Sequence, residues 1–397
     1  MSSSAAHRDA WIEVDLGAIA ANAAALRSLL PAQTNLMAVV KADAYGHGAI
    51  PVALTLEHDA DAFGVATLDE GLELRRAGVH GRIVVLYDVP AGAVAEAMAA
   101  GLELSVGSLE ALREVLALTH AERRFIHLKI DTGMTRQGLR TEWFGSSAVE
   151  LSRAAPAIAG LWTHLRDGAD QAGTSAQREA FSRAASSLAG LGVRGERHVS
   201  ASSAILSRTV ADEDLVRPGL ALYGAVPDEF LAAGGASPVS LRPAMSVHAR
   251  PVRVVDVPAG TPVGYGGTFV TAAASRLATL PLGYADGIPR SLGNGRGHAL
   301  ARGRRAPIVG RISMDSLVVD VSDIPGLSRA DAFTLLGREG HETITLEEMS
   351  AAAGTIPQEL AVRLNGRLPR LYQSAAALRA PGTPAISTET TEARREP

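Results

Sequence analysis

A lysine beside a glycine-containing loop is the first residue whose type and position could serve chemistry. Lys41 follows the apolar run Leu36–Val40 and precedes Tyr45, Gly46 and Gly48. A lysine at the carboxyl end of a barrel strand points into the mouth, where desolvation lets it lose its proton and form a Schiff base. Most isolated lysines are solvated surface residues, but the tight loop after this one favours a functional site.

Two further segments combine basic residues with features of anion binding. Lys129 and Asp131 point the same way along a predicted strand, and Arg136 lies on the loop that follows. This spacing fits a salt-bridged strand end as well as it fits a site. Arg217 is followed by a Pro–Gly pair, and Gly219 would let a backbone N–H approach a phosphate closely. Taken alone, a plain Pro–Gly turn is the simpler interpretation of that pair.

A tyrosine and a histidine are notable for where they lie. Tyr265 is flanked by Gly264 and Gly266 at a predicted loop tip. An aromatic residue exposed on a mobile loop suggests a function, although a tyrosine packed in a hairpin is the ordinary explanation. His164 lies at the end of the sixth predicted strand, where a lone histidine is more often a structural hydrogen-bonding residue.

The elements that position these residues alternate between short apolar runs and helix-like segments, from about residue 36 to residue 224. Several runs are apolar at consecutive positions, which is typical of strands buried on both faces of a parallel sheet. The eight predicted strands are Leu36–Val40, Phe63–Ala66, Ile83–Leu86, Leu102–Val106, Phe125–Ile130, Leu161–Leu165, His198–Ser202 and Leu220–Tyr223. Helix N-caps are predicted at Asp15 and Ser108, and a left-handed residue after a helix at Gly78. The pattern predicts an N-terminal (β/α)8 TIM-type barrel, with an open doubly wound sheet as the alternative.

After about Gly234 the pattern changes to Val- and Ile-rich runs punctuated by Gly and Pro, which predicts a mainly β second domain. The fold class is therefore α/β plus β. We predict a barrel over residues 8–235, a C-terminal β domain over residues 241–378 and a disordered tail over residues 379–397. Ile386 is the single large aliphatic residue of that tail, so the tail has too little apolar surface to fold.

Composition and charge exclude several classes of protein and site. The 397 residues include 38 Lys+Arg and 42 Asp+Glu, a net charge of −4, which argues against a nucleic-acid-binding protein. The absence of cysteine excludes disulfides, thiolate zinc sites and a cysteine nucleophile, and no metal is expected. We expect no secretory signal and, without about 18 uninterrupted apolar residues, no membrane span. A cytoplasmic protein is therefore expected.

Eight short segments occur in an order that one enzyme family shares. They cover roughly residues 10–375 and read WIEVDLGAIAAN, VVKADAYGHG, LKIDTGMTRQG, VRPGLALYG, VGYGGTF, GYADGIPR, GRISMD and RLPRLY. In these segments the chain resembles the alanine racemases, pyridoxal-phosphate enzymes with an N-terminal barrel and a C-terminal β domain. One such segment could arise by chance, but eight in order make the resemblance specific.

The resemblance implies pyridoxal 5′-phosphate as cofactor, with Lys41 as its covalent attachment site. Arg217 would lie at the pyridine nitrogen and leave it unprotonated, because a guanidinium does not give up its proton. His164 would support Arg217. The phosphate would be bound by Tyr45, Ser202, Gly219, Leu220 and Tyr372.

The same resemblance implies a homodimer with shared active sites and a small amino-acid substrate. Tyr265 would reach the other subunit's barrel as the second acid/base group beside Lys41. Lys129 would be carbamylated by CO2 and would hold Arg136 toward the substrate carboxylate. The shared mouth would also be lined by Met314, through its backbone N–H, and by Tyr284, which would narrow the entrance.

Three features depart from the family's usual pattern. Ala201 stands where an asparagine usually precedes the phosphate-binding serine, and Ser313 stands where a cysteine is usual. Residues 165–170 differ from the short Ala/Ser-rich run usual after the histidine. None of these departures removes a catalytic group.

The function predicted from the sequence is two-base racemisation of L-alanine to D-alanine, which supplies cell-wall peptidoglycan. A broader-specificity or serine-preferring racemase is the nearest alternative. A related pyridoxal-phosphate decarboxylase is disfavoured, since those enzymes use a cysteine near the substrate and a carboxylate where this chain has Arg217. A non-catalytic pyridoxal-phosphate-binding protein is disfavoured because such proteins resemble the barrel alone.

Overall fold

The computed structural model describes residues 8–118, 125–364 and 366–373. These residues separate into two units: one lies within Ala20–Arg242, and the other consists of the described residues within Met1–Ile19 and Pro243–Pro397. The described residues before Ala20 therefore group with the C-terminal unit, whereas the sequence placed the start of the barrel at residue 8. The tail predicted over residues 379–397 lies outside the described residues.

The unit formed by Ala20–Arg242 is a parallel barrel. With strands numbered β1–β20 along the chain, its strands are β2 (Asn35–Val39), β3 (Ala62–Val65), β4 (Arg82–Val85), β5 (Glu103–Val106), β6 (Ile126–Lys129), β7 (Ile158–Trp162), β8 (Glu196–His198) and β9 (Leu215–Val216). They pair in the order β8-β7-β6-β5-β4-β3-β2-β9. Two backbone bonds, Asp214 N to Arg197 O (2.9 Å) and Arg217 N to Ser200 O (2.8 Å), close the ring. The predicted (β/α)8 barrel is confirmed.

The barrel interior contains both apolar and charged side chains. One apolar cluster consists of Met37, Val39, Ala62, Val84, Leu86, Trp162 and Leu215. Strands surrounded in this way need apolar residues at successive positions, which explains the uninterrupted runs in the sequence. Seven His, Lys, Arg or Glu side chains of this unit are buried, and five of them lie on or directly after the barrel strands: Glu103, His127, Lys129, His198 and Arg217.

Helices connect the barrel strands, and their ends follow the local sequence. The helices of both units are α1 (Leu16–Arg27), α2 (Lys41–Gly46), α3 (Ala49–Leu56), α4 (Leu68–Arg76), α5 (Val94–Ala99), α6 (Leu109–Leu118), α7 (Ala148–Ala154), α8 (Gln171–Gly190), α9 (Ser202–Leu206), α10 (Asp228–Ala232), α11 (Leu346–Ala353) and α12 (Pro357–Arg363). Asp15 accepts a hydrogen bond from the Ala18 N–H (2.8 Å) and Ser108 from the Ala111 N–H (3.1 Å). Gly78 has a φ of +87°. The three predicted helix-end signals are thus confirmed.

The last two barrel strands differ from their predicted positions. Leu220–Tyr223 forms a buried 3₁₀ helix, and β9 lies before it at Leu215–Val216. The chain leaves the strand conformation at Gly219, where φ is −120° and ψ is −93°. Because a buried short helix and a buried strand are equally apolar, the run alone could not distinguish them. The predicted extension of β8 through Ser202 is also wrong, since Ser202 begins α9.

The other unit is built mainly from antiparallel strands. Its strands are β1 (Ala10–Asp15), β10 (Met245–Ala249), β11 (Arg253–Val257), β12 (Pro262–Val263), β13 (Phe269–Val270), β14 (Ser275–Leu280), β15 (His298–Ala301), β16 (Arg304–Val309), β17 (Leu317–Asp320), β18 (Phe333–Glu339), β19 (Glu342–Ile344) and β20 (Arg370–Gln373). The main sheet has the order β11-β14-β17-β16-β15-β18-β10-β1-β20, with β19 on β18, and β12 pairs with β13. The predicted mainly β domain is confirmed. Among the helices of the described residues, none has the length and hydrophobicity needed to cross a bilayer.

Candidate active site

Lys41 lies two residues after the end of β2, at the carboxyl ends of the barrel strands. The next four residues, Ala42–Tyr45, have φ between +52° and +54°, so α2 is in fact a left-handed turn. This conformation costs an L-residue about 1–2 kcal/mol. Two carboxylates hold the turn: Glu70 accepts from the Ala42 N–H and Asp43 from the Ala49 N–H, both at 2.8 Å. The strained backbone therefore fixes the position from which Lys41 extends.

The Lys41 amine is easier to deprotonate than that of an ordinary lysine. Burial, followed by the positive charge of Arg136, lowers the pKa of Lys41. A lower pKa raises the fraction of unprotonated amine, which is the form that attacks a carbonyl carbon. Lys41 is therefore suited to react with a carbonyl compound.

Hydrogen-bond donors converge beside α9 and the segment after β9. Ser202 Oγ accepts from the backbone N–H groups of Gly219 (3.0 Å) and Ala221 (3.3 Å). The Tyr45 hydroxyl approaches Gly219 so closely that a Cβ there would lie 2.5 Å from it. Burial raises the pKa of Tyr45 to about 12, so its hydroxyl keeps its proton. Together these groups, with Leu220 in the same turn, form a cradle suited to a phosphate.

Arg217 is buried just after β9. Its Nη2 donates to the backbone carbonyls of Thr163 (2.7 Å) and Val199 (3.1 Å), and its Nη1 donates to Nδ1 of His198 (3.1 Å). The guanidinium lies 4.8 Å from the ring centroid of Trp162. Burial lowers the pKa of Arg217 to about 10, so Arg217 is still a cation at neutral pH.

His164 is the more distant of two histidines that face Arg217. Its Nδ1 lies 3.5 Å from Arg217 Nη2. Burial and the charge of Arg217 lower the pKa of His164 to about 3, so the imidazole is neutral and can accept a hydrogen bond. His198, which the sequence analysis did not single out, contacts Arg217 more closely. A histidine inside an apolar inward-facing run was the available signal for it.

Lys129 ends β6 and is 4% exposed. Its Nζ donates to Gln137 Oε1 (2.9 Å) and lies 4.3 Å from the ring centroid of Trp162. Burial, followed by the charge of Arg136, lowers the pKa of Lys129 to about 8. The structure thus pairs Lys129 with Gln137, a residue that the sequence analysis did not single out.

The loop after β6 carries Arg136 on an exposed segment. Asp131 Oδ1 accepts from the backbone N–H groups of Gly133 and Thr135, both at 3.0 Å. Asp131 therefore shapes this loop, and the alternative of a Lys129–Asp131 salt bridge at the strand end is not what the structure shows. The charge of Arg136 acts on both Lys41 and Lys129, so the three cationic groups share one mouth.

The unusual segment 165–170 is a loop that caps a helix. Asp170 Oδ1 accepts from two backbone N–H groups at the start of α8, both at 3.1 Å. Gln177 of α8 accepts from the Arg166 N–H (2.9 Å) and donates to the His164 carbonyl (3.2 Å). The segment therefore fixes the backbone of His164. Ala201, the other barrel departure, precedes α9 with its carbonyl bonded to the Ile205 N–H (3.1 Å).

Tyr265 lies in the β unit, on a glycine-rich turn between β12 and β13. Its side chain is 69% exposed. Gly264, Gly266 and Gly267 have φ of +71°, +74° and +53°. Because L-residues are strained in this region, the turn requires its glycines. The result is a tyrosine held at the tip of a defined turn.

Tyr284 and Met314 lie in adjacent loops of the same unit. The Tyr284 N–H donates to the Ser313 carbonyl (3.1 Å) and the Ala285 N–H to the Met314 carbonyl (3.0 Å). The side chains of Tyr284 and Met314 are 43% and 53% exposed. Tyr372 is part of β20, also in this unit, and its place in the phosphate site stays a prediction. Within the described residues, no group of three His, Asp or Glu could hold a metal ion.

Comparison with known proteins assigns the chain to a family. The family models "Alanine racemase, N-terminal domain" and "Alanine racemase, C-terminal domain" match residues 14–227 and 244–372. The chain belongs to the alanine racemase family. It is accordingly an isomerase that acts on amino acids.

Relatives in the alanine racemase family match nearly the whole chain. The alanine racemase of Symbiobacterium thermophilum is 41% identical over 376 residues, which are 92% of this chain and 97% of the relative. The crystal structure of alanine racemase from D-cycloserine-producing Streptomyces lavendulae has a TM-score of 0.84 at 38% identity, over 92% of this chain and 97% of that one. The alanine racemase of Bartonella henselae with covalently bound pyridoxal phosphate has a TM-score of 0.81 at 32% identity, over 92% of this chain and 99% of that one.

Proposed function

We propose that this alanine racemase family member interconverts L- and D-alanine with pyridoxal phosphate and supplies D-alanine for cell-wall peptidoglycan in the cytoplasm. The observation that carries the proposal is one barrel mouth that combines Lys41, the Ser202–Gly219–Tyr45 cradle and the buried Arg217. Relatives named alanine racemase over nearly their full length support alanine as the substrate.

The residues of the mouth fit pyridoxal phosphate. Ser202, the Gly219 and Ala221 N–H groups and the Tyr45 hydroxyl would bind its phosphate, since a dianion needs several donors. When bound, the cofactor draws electrons from the substrate and acidifies the proton on its α-carbon. Arg217 would donate an N–H to the ring nitrogen without protonating it, which moderates that effect.

Two proton-transfer groups are required because racemisation removes a proton on one face and returns one on the other. Lys41 Nζ, as a free amine, would hold the proton on the D face. Tyr265 Oη would do so on the L face. A phenol gives up its proton near neutral pH only beside a positive charge, and we assign that charge to Arg136, which would also bind the substrate carboxylate.

We propose a homodimer in which Tyr265 of one subunit completes the barrel mouth of the other. Tyr265, Tyr284 and Met314 are exposed on one unit, and tyrosine and methionine are enriched at protein interfaces. In such a dimer the Met314 N–H would bind the substrate carboxylate, Tyr284 would narrow the entrance and Tyr372 would add a hydroxyl to the phosphate.

The purified protein with pyridoxal phosphate is expected to convert L-alanine to D-alanine and back, measured by chiral chromatography with a panel of L-amino acids. Borohydride reduction followed by peptide mapping should place a pyridoxyl group on Lys41. The chain contains only two lysines, Lys41 and Lys129, so the second is an internal control. A label on Lys129 would contradict the attachment site. Faster turnover of serine than of alanine would contradict the proposed substrate.

Lys129 is expected to carry a carbamate formed from dissolved CO2. Only the unprotonated amine reacts, and with a pKa lowered to about 8 that fraction at pH 7 is about 10%, against about 0.03% for an ordinary lysine. The fraction rises as pH increases through 8. Protein equilibrated with ¹³C-bicarbonate should therefore show a carbamate carbon signal that Lys129→Ala lacks. Identical spectra from the two proteins would show that Lys129 is an unmodified amine.

A further inference from the structure

A line of buried polar side chains runs through the barrel from Arg217 to the amino ends of the strands. Arg217 Nη1 donates to Nδ1 of His198 (3.1 Å), and Nε2 of His198 lies 3.0 Å from Nδ1 of His127. Nε2 of His127 lies 2.7 Å from Oε2 of Glu103. Both histidines are fully buried, and Glu103 is 6% exposed. The chemistry proposed above uses neither histidine nor Glu103.

The line ends in a carboxylate that stays ionised. Arg82 Nε and Nη2 donate to the two oxygens of Glu103, each at 3.0 Å, and the same guanidinium donates to Glu196 at 3.1 and 2.6 Å. Burial alone would raise the pKa of Glu103, but hydrogen bonds from His127 and Arg82 outweigh it and lower the pKa to about 2. Glu103 is therefore a hydrogen-bond acceptor only.

The hydrogen bonds of this line have one consistent direction. A guanidinium has no acceptor, so His198 accepts at Nδ1 and carries its proton on Nε2. That proton is donated to Nδ1 of His127, whose own proton then lies on Nε2 and is donated to Glu103. The reverse order would place two donors face to face at Arg217 and would require Glu103 to donate. Burial lowers the pKa of His198 well below its usual value, in agreement with a neutral ring.

The gain in stability from burying these ionic groups is expected to be small. Barrel interiors are usually filled by branched apolar side chains, and replacing buried ionic groups with apolar residues is often neutral or stabilising. The second carboxylate near Arg217, Glu213, bonds to Arg178 and Ser200. The negative charge of Glu213 partly offsets the lowering of the Arg217 pKa by burial. Its carboxylate bonds to other groups, so it does not orient the guanidinium.

We propose that Glu103 is a positioning residue for Arg217. Acting through His127 and His198, it fixes the single hydrogen-bond order that holds the guanidinium where, in the function proposed above, it faces the cofactor's ring nitrogen. The expected effect of Glu103 on racemisation rests on the proposed function. The order of the protons in the line is independent of it.

The test compares Glu103→Gln with the matched variant Glu196→Gln. Glutamine at position 103 can turn its amide N–H toward His127, so the reversed order no longer requires a protonated carboxyl there. That order is then opposed only by the two donors that would face each other at Arg217. Glu196→Gln removes a carboxylate from the same Arg82 but does not touch the line. Histidine tautomers are read from ¹⁵N spectra of holoenzyme labelled at histidine, assigned with single-histidine variants.

We expect Nε2–H at both His127 and His198 in the wild type and in Glu196→Gln. In Glu103→Gln, the His198 signals should move toward the Nδ1–H pattern and the visible absorbance of the bound cofactor should shift. Racemisation kcat should fall about tenfold, the effect of weakening one hydrogen bond to a charged group, with KM changed less than about twofold. If Glu103→Gln does not fold, His127→Leu breaks the same line, leaves Glu103 paired with Arg82, and should give the same fall in kcat and the same absorbance shift.

A proton on Nδ1 of His198 in the wild type would overturn the proposal. So would altered tautomers in Glu103→Gln with unchanged kcat and absorbance, or an equal fall in kcat in Glu196→Gln. The tautomer and absorbance measurements need no turnover. If they behave as expected in a protein that does not racemise alanine, the positioning role stands and the proposed function fails.

Discussion

Tyr265→Phe is expected to slow removal of the α-proton from L-alanine by about 10²- to 10⁴-fold, the usual contribution of a general base. Proton removal from D-alanine should be affected far less, because Lys41 serves that face. The measurement is single-turnover exchange of the α-proton with deuterium from the solvent, for each enantiomer separately. Equal losses for the two enantiomers would contradict the assignment of one group to each face.

Lys41→Ala supplied with a small added amine should show the opposite bias. The added amine takes over the covalent role of Lys41. The D face, however, still lacks its proton-transfer group. Exchange from D-alanine should then be slower than exchange from L-alanine. A bias in the same direction as that of Tyr265→Phe would show that the two groups do not act on opposite faces.

Mixing the two inactive variants separates a shared site from a site within one chain. If Tyr265 completes the other subunit's mouth, each heterodimer has one mouth with both groups intact and one with neither. Half of randomly mixed dimers are heterodimers, so about one quarter of wild-type activity should return. Each variant mixed with itself is the control. No recovery after demonstrated subunit exchange would mean that Lys41 and Tyr265 act within one chain.

Arg217→Glu is expected to lower racemisation by about 10- to 100-fold, from the loss of a charged hydrogen-bond donor. It should also raise keto-acid formation relative to racemisation, because a carboxyl group can share a proton with the ring nitrogen, whereas a guanidinium cannot. Racemised alanine and pyruvate are measured together, and a new long-wavelength absorbance should appear with alanine.

Arg217→Lys is the matched control because it retains a cation at the same position. It should lose racemisation without gaining keto-acid formation. Circular dichroism checks that both variants fold, since Arg217 also holds the backbone carbonyls of Thr163 and Val199. An unchanged ratio of pyruvate to racemised alanine in Arg217→Glu, with an unchanged spectrum, would exclude the proposed role.

Features of the site that are determined by residues close together in the sequence could be predicted. Lys41 follows a buried run and precedes a tight loop, and both features are visible within about ten residues. The same holds for the glycine turn around Tyr265 and for Gly219 after Arg217. The left-handed conformation of Ala42–Tyr45 could not be predicted, since no glycine marks its first four positions.

Contacts between side chains on different strands could not be predicted, because they depend on the order of the strands in the barrel. Glu103, His127 and His198 lie on three different strands, and only the closed ring brings them into one line. A charged residue at the start of an apolar run, such as Glu103, is more simply interpreted as a strand end facing water. Leu220–Tyr223 was assigned to a strand because an apolar run indicates that a segment is buried but does not indicate its backbone conformation.

The position of β1 has a consequence for the order in which the chain can fold during synthesis. β1 pairs antiparallel with β10 and parallel with β20, so the first strand made waits for both partners until the last described residues leave the ribosome. The barrel strands, from β2 to β9, are all complete about 150 residues earlier. Because domains generally fold as units and N-terminal ones first, the barrel can form on the nascent chain. The main β sheet can be completed only later, when β20 has been made and can pair with β1.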